Sequence, residues 1–202
     1  PRYFYRVIDE ELIWGPLATG LVITIEISLY SMLLTLALGL LTALLRMSNS
    51  LSGQVLARVY LETIRNTPML VQIYVFYFVI APVVGIDRFW TGVLCLGLFE
   101  GSFASEIIRA GINSVPRGQW EAASSVGLSR FASYRYVVLP QAIPLMLPPM
   151  TGVLINLVKH SSIVSVIAVF ELTTEGRNII ADTYMAFEVW LTVAGIYLVL
   201  TV

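Results

Sequence analysis

Long apolar runs are the feature that most limits how this chain can fold. The first of them, residues 17–45, contains a single charged side chain, Glu26, in a stretch long enough to cross a bilayer as a helix. Charged residues make up 12% of the 202-residue chain, whereas soluble domains carry about 25%. Such a chain cannot cover itself with a solvated surface, so the lipid bilayer is its expected solvent. The sequence therefore predicts an all-α integral membrane protein.

Five apolar segments are predicted to span the membrane within one domain, residues 1–202. Their approximate bounds are 17–45, 68–85, 90–111, 142–160 and 184–202. The second begins after an Asn-Thr-Pro sequence, where Thr67 can cap a new helix and Pro68 suits its first turn. The fifth stops inside an apolar run at Val202, which leaves open whether that helix is trimmed.

Arginines predict the orientation of these spans. They collect in the loop between the first and second spans and at or within the loop between the third and fourth: Arg46, Arg58, Arg65, Arg109, Arg117, Arg130 and Arg135. Loops rich in Lys and Arg face the cytoplasm. We therefore expect the N-terminus outside and the C-terminus inside.

Several classes of chemistry lack the residues they need. Cys95 and His160 are the only cysteine and the only histidine, so the sequence has no internal disulfide and no cluster of these residues for a metal. It contains neither a phosphate-binding Gly-x-x-x-x-Gly-Lys-Ser/Thr loop nor a Gly-x-Ser-x-Gly nucleophile turn. A net charge of −1 gives no sign of a nucleic-acid partner. We expect no enzyme activity, no metal and no cofactor in this chain.

One acidic residue, Glu100, lies near the middle of the third predicted span, where an ionisable group is costly and by default suggests function. It could line a translocation path and contact substrate, or it could form an internal ion pair with Lys159 or Arg109. The sequence leaves both roles open. Glu106 lies one helical turn before Arg109 and is predicted to pair with it at the inner boundary.

Four further residues are candidates for the same path. Asn156 and Lys159 are one helical turn apart, so they share a face of the fourth span. His160 is either a satisfied interior donor or a residue that tunes substrate choice. Tyr77 belongs to an aromatic group on the second span, for which core packing is the first interpretation and gating the alternative.

A polar segment, "QWEAASSVGLSRFASYRYVVLP", interrupts the apolar chain at residues 119–140. Apolar and small residues recur in it at helical spacing: Trp120, Ala123, Gly127, Leu128 and Phe131. Glu121 is expected in the first turn of this helix, where an anion suits the helix dipole, and Gly127 inside the helix. From periodicity alone, a surface helix lying on lipid headgroups and a docking helix are both open.

The segment also resembles a known family. Its pattern of Glu-Ala-Ala, three residues, Gly, nine residues, an aliphatic residue, any residue and Leu-Pro is similar to the EAA loop of the membrane subunits of ATP-binding-cassette importers. Three flanking stretches resemble the polar-amino-acid branch of that family: "ETIRNTPMLVQIYVFYF" (62–78), "SEIIRAGINSVPRGQWEAA" (105–123) and "FELTTEGRNI" (170–179). Val137 departs from the usual Ile, and His160 departs from the small polar or acidic residue often found there. The resemblance runs from about Gly20 to the end of the chain.

This resemblance implies the permease subunit of an ATP-driven amino-acid importer of type I fold in the bacterial cytoplasmic (inner) membrane. Residues 115–140 would then hold a cytoplasmic coupling helix between the third and fourth spans, docked on a separate ATPase. The coupling residues that the motif implies are Glu121, Ala122, Ala123, Gly127 and Leu128.

The resemblance also implies partners. Two ATPase subunits would bind the ATP and Mg, and a periplasmic or extracellular solute-binding protein would deliver substrate to outer loops that include residues 170–183. A second permease copy, identical or a sister chain, would complete the path. Which amino acid is moved is left open, and Glu100 would suit a cationic or a zwitterionic one.

The alternative function is an ATP-independent secondary transporter or channel. It would use Glu100, Lys159 and His160 as a proton or ion relay. Secondary transporters often contain internal repeats with a broken helix in each half. No convincing repeat is present in this sequence, and five spans do not divide into equal halves.

Overall fold

The computed structural model describes residues 5–8 and 11–202, and for residues 5–8 and 11–14 it describes the backbone alone. Strand β1 (Tyr5–Ile8) pairs antiparallel with β2 (Glu11–Trp14). The α-helices that follow are α1 (Pro16–Met47), α2 (Leu51–Arg65), α3 (Met69–Val75), α4 (Ala81–Val84), α5 (Arg88–Asn113), α6 (Arg117–Ser125), α7 (Arg130–Ser133), α8 (Leu139–His160), α9 (Leu172–Thr183) and α10 (Ala186–Thr201). Two π-helical turns and a 3₁₀ segment connect some of them: Phe76–Ile80, Tyr134–Val138 and Ser161–Ile167.

The β-hairpin departs from the all-α prediction. Its strands, YRVI and ELIW, are rich in β-branched, aromatic and aliphatic residues, which favour an extended backbone. Both strands precede the first apolar run, and the apolar part of the chain is helical as predicted.

Three helical segments among the described residues are long and apolar enough to cross a membrane: α1, α5 and the 38-residue segment Arg130–Ile167. The pair formed by α2 and α3–α4 satisfies the same criterion together, although it is bent by 107° at its break. Helix α10 is apolar but only 16 residues long, which is shorter than the about 20 residues of a typical span. The predicted segments therefore coincide with apolar helices, and the count of five spans stays a prediction.

The break between α2 and α3 has a local cause. Pro68 disfavours a helical backbone at the residue before it, so α2 ends at Arg65 and α3 begins at Met69. The Thr67 hydroxyl donates to the carbonyl of Thr63 at 2.8 Å, so it closes the end of α2, whereas the sequence predicted that it caps α3. The buried Gln72 amide donates to the Ile64 carbonyl at 2.7 Å and stabilises the bend.

Two π-helical turns precede prolines that lie inside continuous helices. The turn Phe76–Ile80 ends two residues before Pro82, and the turn Tyr134–Val138 ends two residues before Pro140. Proline has no N–H and crowds the carbonyl four residues earlier. The wider turn uses i to i+5 hydrogen bonds, from Ala81 N to Phe76 O and from Leu139 N to Tyr134 O, and so keeps the chain helical.

Helix α5 forms the centre of the fold and packs along α1. Its buried residues Val93, Cys95 and Leu96 share a core with residues of α1, α3 and the 3₁₀ segment. Glycines let α1 and α5 approach closely, and Gly39 is the clearest case. A Cβ atom at Gly39 would lie 2.8 Å from the Ala104 Cβ and 3.2 Å from the backbone nitrogen of Ser105.

We expect Gly39→Ala to lower the free energy of unfolding by about 1–3 kcal/mol, because the added methyl group forces α1 and α5 apart. Gly195→Ala in α10 is the matched control, since nothing lies within 4 Å of a Cβ atom there. Alanine should be neutral or stabilising by about 0.5–1 kcal/mol at that position. The measurement is the thermal unfolding midpoint of each purified variant in detergent. Equal midpoints for the two variants would contradict the close α1–α5 contact.

Candidate functional site

Glu100 forms a buried hydrogen-bonded pair with His160. Glu100 is the thirteenth residue of α5, about 18 Å along the helix from Arg88 and about 20 Å from Asn113. It is 2% exposed, and its Oε1 lies 2.6 Å from Nδ1 of His160, the last residue of α8. The predicted ion-pair partners, Lys159 and Arg109, are therefore not the partners of this carboxylate. Successive residues of a helix point about 100° apart, so the side chain that reaches α5 is that of His160.

The two members of this pair differ in access. The Glu100 side chain is 3% exposed, whereas the His160 side chain is 35% exposed in the isolated chain. The Phe99 ring lies edge-on to the imidazole, with ring centroids 5.8 Å apart, and holds it from one side. A molecule that enters from the open side therefore meets the imidazole before the carboxylate.

The other path candidates form no ion pair or hydrogen bond with Glu100 within the part of the chain that the structure describes. Asn156 and Lys159 are exposed on α8, and the partner of Glu100 among the described residues is His160. Tyr77 lies in the first π-helical turn, packs against the core around α5, and has its ring 5.0 Å from that of Phe78. The geometry at Tyr77 is that of a packing residue on the edge of the core.

Glu106 lies towards the C-terminal end of α5 within a cluster of arginines. It pairs with Arg109, as predicted, and also with Arg46 from the end of α1. Arg65 at the end of α2 has its Nη1 4.0 Å from the same carboxylate, and its guanidinium lies over the Phe103 ring at 5.1 Å. The sequence pointed to Arg109 by helical spacing, but it contained no local signal for the two arginines from other helices.

The polar segment 119–140 forms two short helices. Helix α6 ends at Ser125, and Gly127 follows in the left-handed conformation with φ of +78°. Its N–H donates to the Ser124 carbonyl at 3.0 Å, and Leu128 N donates to the Ala123 carbonyl at 3.1 Å. The prediction that Gly127 lies inside the helix is therefore wrong, because glycine ends the helix where only it adopts positive φ at no cost.

Two side chains attach α6 to the body of the protein. Trp120 packs on a cluster from the C-terminal end of α5 and the N-terminal part of α8, and its ring centroid lies 4.9 Å from that of Tyr134. Ala123, one of the coupling residues that the motif implies, is 3% exposed, so it is packed inside this chain. Helix α6 begins at Arg117, so Glu121 is its fifth residue, whereas the sequence predicted it in the first turn.

The remaining residues of this segment present an outward surface. Glu121, Ala122 and Gly127 are exposed, and Leu128 is half-buried. Two large apolar side chains extend that surface, Val126 at 76% and Phe131 at 77% exposure. The sequence interpretation missed Val126, and it placed Phe131 on the same stripe as Trp120, from which the turn at Gly127 separates it.

The segment 170–183 is joined to α1 and α10 by hydrogen bonds at Glu171 and Leu172. This buried carboxylate caps α9 by accepting from the backbone N–H groups of Thr173 and Thr174, both at 2.8 Å, and from the Tyr197 hydroxyl at 2.9 Å. Burial raises the pKa of Glu171, although the hydrogen bonds act in the opposite direction. Leu172 N donates to the Thr24 hydroxyl at 3.1 Å, which joins α9 to α1.

Comparisons with known proteins agree with this architecture. Residues 35–202 match the family described as "Binding-protein-dependent transport system inner membrane component". The probable glutamine ABC transporter permease protein GlnM of Bacillus subtilis is 40% identical over 167 residues, covering 82% of this chain and 77% of that protein. The L-cystine transport system permease protein TcyB of the same organism is 39% identical over 171 residues, covering 84% and 73%. The glutamine transport system permease protein GlnP of Escherichia coli K12 is 36% identical over 199 residues, covering 96% and 91%.

Solved structures share the fold. A chain in the crystal structure of an amino acid ABC transporter with histidines superposes with a TM-score of 0.84 at 37% identity, covering 92% of this chain and 87% of that one. A chain of the inward-facing MetNI methionine ABC transporter superposes with a TM-score of 0.79 at 20% identity, covering 92% and 89%. The fold is that of a helical membrane permease.

The chain belongs to the family of inner membrane components of binding-protein-dependent transport systems. It is the membrane subunit of an importer. The ATP-independent alternative is not favoured by these comparisons.

Proposed function

We propose that this chain is the permease subunit of an ATP-driven importer that moves a net-neutral amino acid into the cytoplasm. The observation that carries the proposal is the family match over residues 35–202, together with relatives whose names specify glutamine and cystine. In this proposal five spans cross the membrane, the N-terminus lies outside and the C-terminus inside. A second permease copy completes the path, and ATP and Mg bind to a separate ATPase.

The coupling helix in this proposal is α6, and its docking surface consists of Glu121, Ala122, Val126, Gly127 and the neighbouring Leu128. All but Leu128 are exposed, and Leu128 is half-buried, which supports a contact with another protein. An apolar residue exposed as far as Val126 at the rim of a polar helix suits an interface better than bulk solvent.

The packing around α6 suggests how movement of the ATPase reaches the transport path. Trp120 and Ala123 bind α6 to residues at the inner ends of α5 and α8. The same two helices carry Glu100 and His160. A rigid-body displacement of α6 therefore acts on both members of the buried pair, which is the mode of coupling that packed helices allow.

The substrate site in this proposal is centred on the Glu100–His160 pair. The Glu100 side chain is 3% exposed and hydrogen-bonded to His160, so its carboxylate is not free to act as the counter-ion of a cationic amino acid. A net-neutral amino acid presents both an ammonium and a carboxylate group. The more exposed imidazole faces its carboxylate, and Asn156 and Lys159, which are exposed on α8, line the approach.

Transport by the reconstituted system tests the proposal. The chain is placed in proteoliposomes with its co-purifying ATPase. Uptake of radiolabelled glutamine and cystine is measured with and without ATP inside the vesicles, and with and without the binding protein outside them. We expect uptake only when ATP and the binding protein are both present. Uptake by the chain alone, driven by an ion gradient, would overturn the proposal. Uptake of arginine in preference to net-neutral amino acids would overturn the substrate class alone.

A further inference from the structure

A cavity lies between α2 and the C-terminal ends of α1 and α5, and neither Glu100 nor His160 lines it. Its volume is about 480 Å³, and its charged lining residues are Arg46, Arg58, Arg65, Arg109, Glu62 and Glu106. Four arginines and two glutamates leave a net charge of +2. This excess of positive charge in a concave site favours an anionic ligand.

The internal ion pairs do not use all of this positive charge. Glu106 is paired with Arg46 and Arg109, with Arg65 near by, so its negative charge is already compensated. Within the part of the chain that the structure describes, the Arg58 side chain forms no ion pair or hydrogen bond. Even Glu62, one turn further along α2, is not its partner. The Nε–H of Arg109 is buried and has no acceptor within the described chain. The Arg109 side chain as a whole is 32% exposed and lines the cavity, so its charge adds to the positive potential there.

The same side of α2 carries exposed apolar residues. Leu51 is 77%, Val55 53% and Val59 57% exposed. Arg58 lies seven residues after Leu51 and three after Val55, so the unpaired guanidinium and the apolar side chains share one side of the helix. Helix α2 is bent by 107° from α3–α4 and packs against both α1 and α5. An amphipathic helix of this kind lies in the membrane interface, with its apolar side against acyl chains.

We propose that this cavity binds the phosphate group of an acidic phospholipid. Arg58 donates to the phosphate oxygens, the positive charge of Arg109 adds to the attraction, and the acyl chains extend along Leu51, Val55 and Val59. Guanidinium groups pair with phosphate through charge-assisted hydrogen bonds. Basic pockets between membrane helices recognise acidic headgroups in this way. A free phosphate ion satisfies the same donors, but it leaves the apolar side of α2 uncovered.

The test uses the detergent-purified complex and three probes: dioctanoyl phosphatidylglycerol, dioctanoyl phosphatidylcholine and inorganic phosphate. Binding is measured by isothermal titration calorimetry. We expect the acidic lipid to bind more tightly than the other two probes. Arg58→Gln should weaken its binding about fivefold, as expected for the loss of one arginine near the headgroup. Arg58→Lys retains the charge, and a lysine near an acidic headgroup contributes about as much as an arginine, so binding should stay within about twofold of the unmodified chain.

Arg135→Gln is the matched control. It removes the same charge as Arg58→Gln, but Arg135 lies outside the cavity. It should leave binding within about twofold, and the melting temperatures of all variants verify folding. Equal affinity of Arg58→Gln and the unmodified chain would overturn the site. So would phosphatidylcholine binding as tight as that of phosphatidylglycerol. If inorganic phosphate binds as tightly as the acidic lipid, and Arg58→Gln weakens both equally, the ligand is a soluble phosphate ion. That result would overturn the proposal that the site binds a lipid.

Discussion

Replacing Gly127 by leucine is expected to reduce ATP-driven uptake to less than about one tenth, while the chain still inserts and assembles. Gly127 has φ of +78°, a conformation that costs an L-residue with a Cβ atom about 1–2 kcal/mol. Nothing lies within 4 Å of a Cβ atom there, so leucine does not clash within the chain. It projects from the proposed docking surface and pushes the ATPase away. The measurement is uptake by proteoliposomes that contain the ATPase and the binding protein.

The chain contains a matched control for backbone strain. Gly85 has φ of +76°, also with nothing within 4 Å of a Cβ atom, but it ends α4, far along the chain from α6. Gly85→Leu should carry the same strain and retain at least half of the uptake. Gly127→Asn should also retain function, because asparagine tolerates this conformation and is small. Normal uptake by Gly127→Leu, or an equal loss in Gly85→Leu, would contradict the docking role.

Glu100→Gln is expected to lower uptake about tenfold or more, with little effect on assembly. The amide has the shape of the carboxylate and still reaches His160 Nδ1, so the packing around α5 is preserved. It lacks the negative charge of the carboxylate, so it binds His160 through a weaker hydrogen bond and holds the imidazole that faces the substrate carboxylate less firmly. A tenfold loss corresponds to about 1.4 kcal/mol of binding or transition-state energy. The measurements are KM and maximal uptake rate for the substrate, and the melting temperature of the complex.

Glu106→Gln provides the comparison for that result. It makes the same Glu-to-Gln change six residues further along α5. The carboxylate of Glu106 pairs with arginines, whereas that of Glu100 pairs with a histidine. We expect it to lower the melting temperature, since Arg46 and Arg109 lose their counter-charge, and to leave KM unchanged. Uptake by Glu100→Gln at the rate of the unmodified chain, with an intact complex, would remove Glu100 from the substrate site.

The sequence predicted the features that depend on local patterns. Apolar runs about 20 residues long located the helices, and the spacing of Glu106 and Arg109 predicted an ion pair that the structure confirms. The break at Pro68 also follows from the chemistry of one residue. Each of these three features is determined by residues that are close together in the sequence, within the length of about one span.

Features that depend on helix rotation or on distant contacts could not be predicted. His160 and Glu100 are 60 residues apart, and a rotation of α8 by one residue would have presented Lys159 in its place. Periodicity also extended the polar helix through Gly127, because a glycine gives no apolar or polar signal of where a helix stops. The inward position of Ala123 depends on Trp120 and Tyr134, whose contact spans a turn that periodicity does not detect.

The π-helical turn Tyr134–Val138 has a mechanical consequence. It joins the short helix α7, next to the proposed docking surface, to α8, which ends at His160. A π turn followed by proline is a point of low bending stiffness, because the backbone there can change pitch with little loss of hydrogen bonding. The turn Phe76–Ile80 gives the helix that begins at Met69 a similar joint. α5 is a single uninterrupted α-helix of 26 residues. Helix α1 is likewise a single α-helix, of 32 residues. We therefore expect bending at the two π-helical turns, so that a tilt of α8 would move His160 relative to Glu100 while α5 keeps its shape.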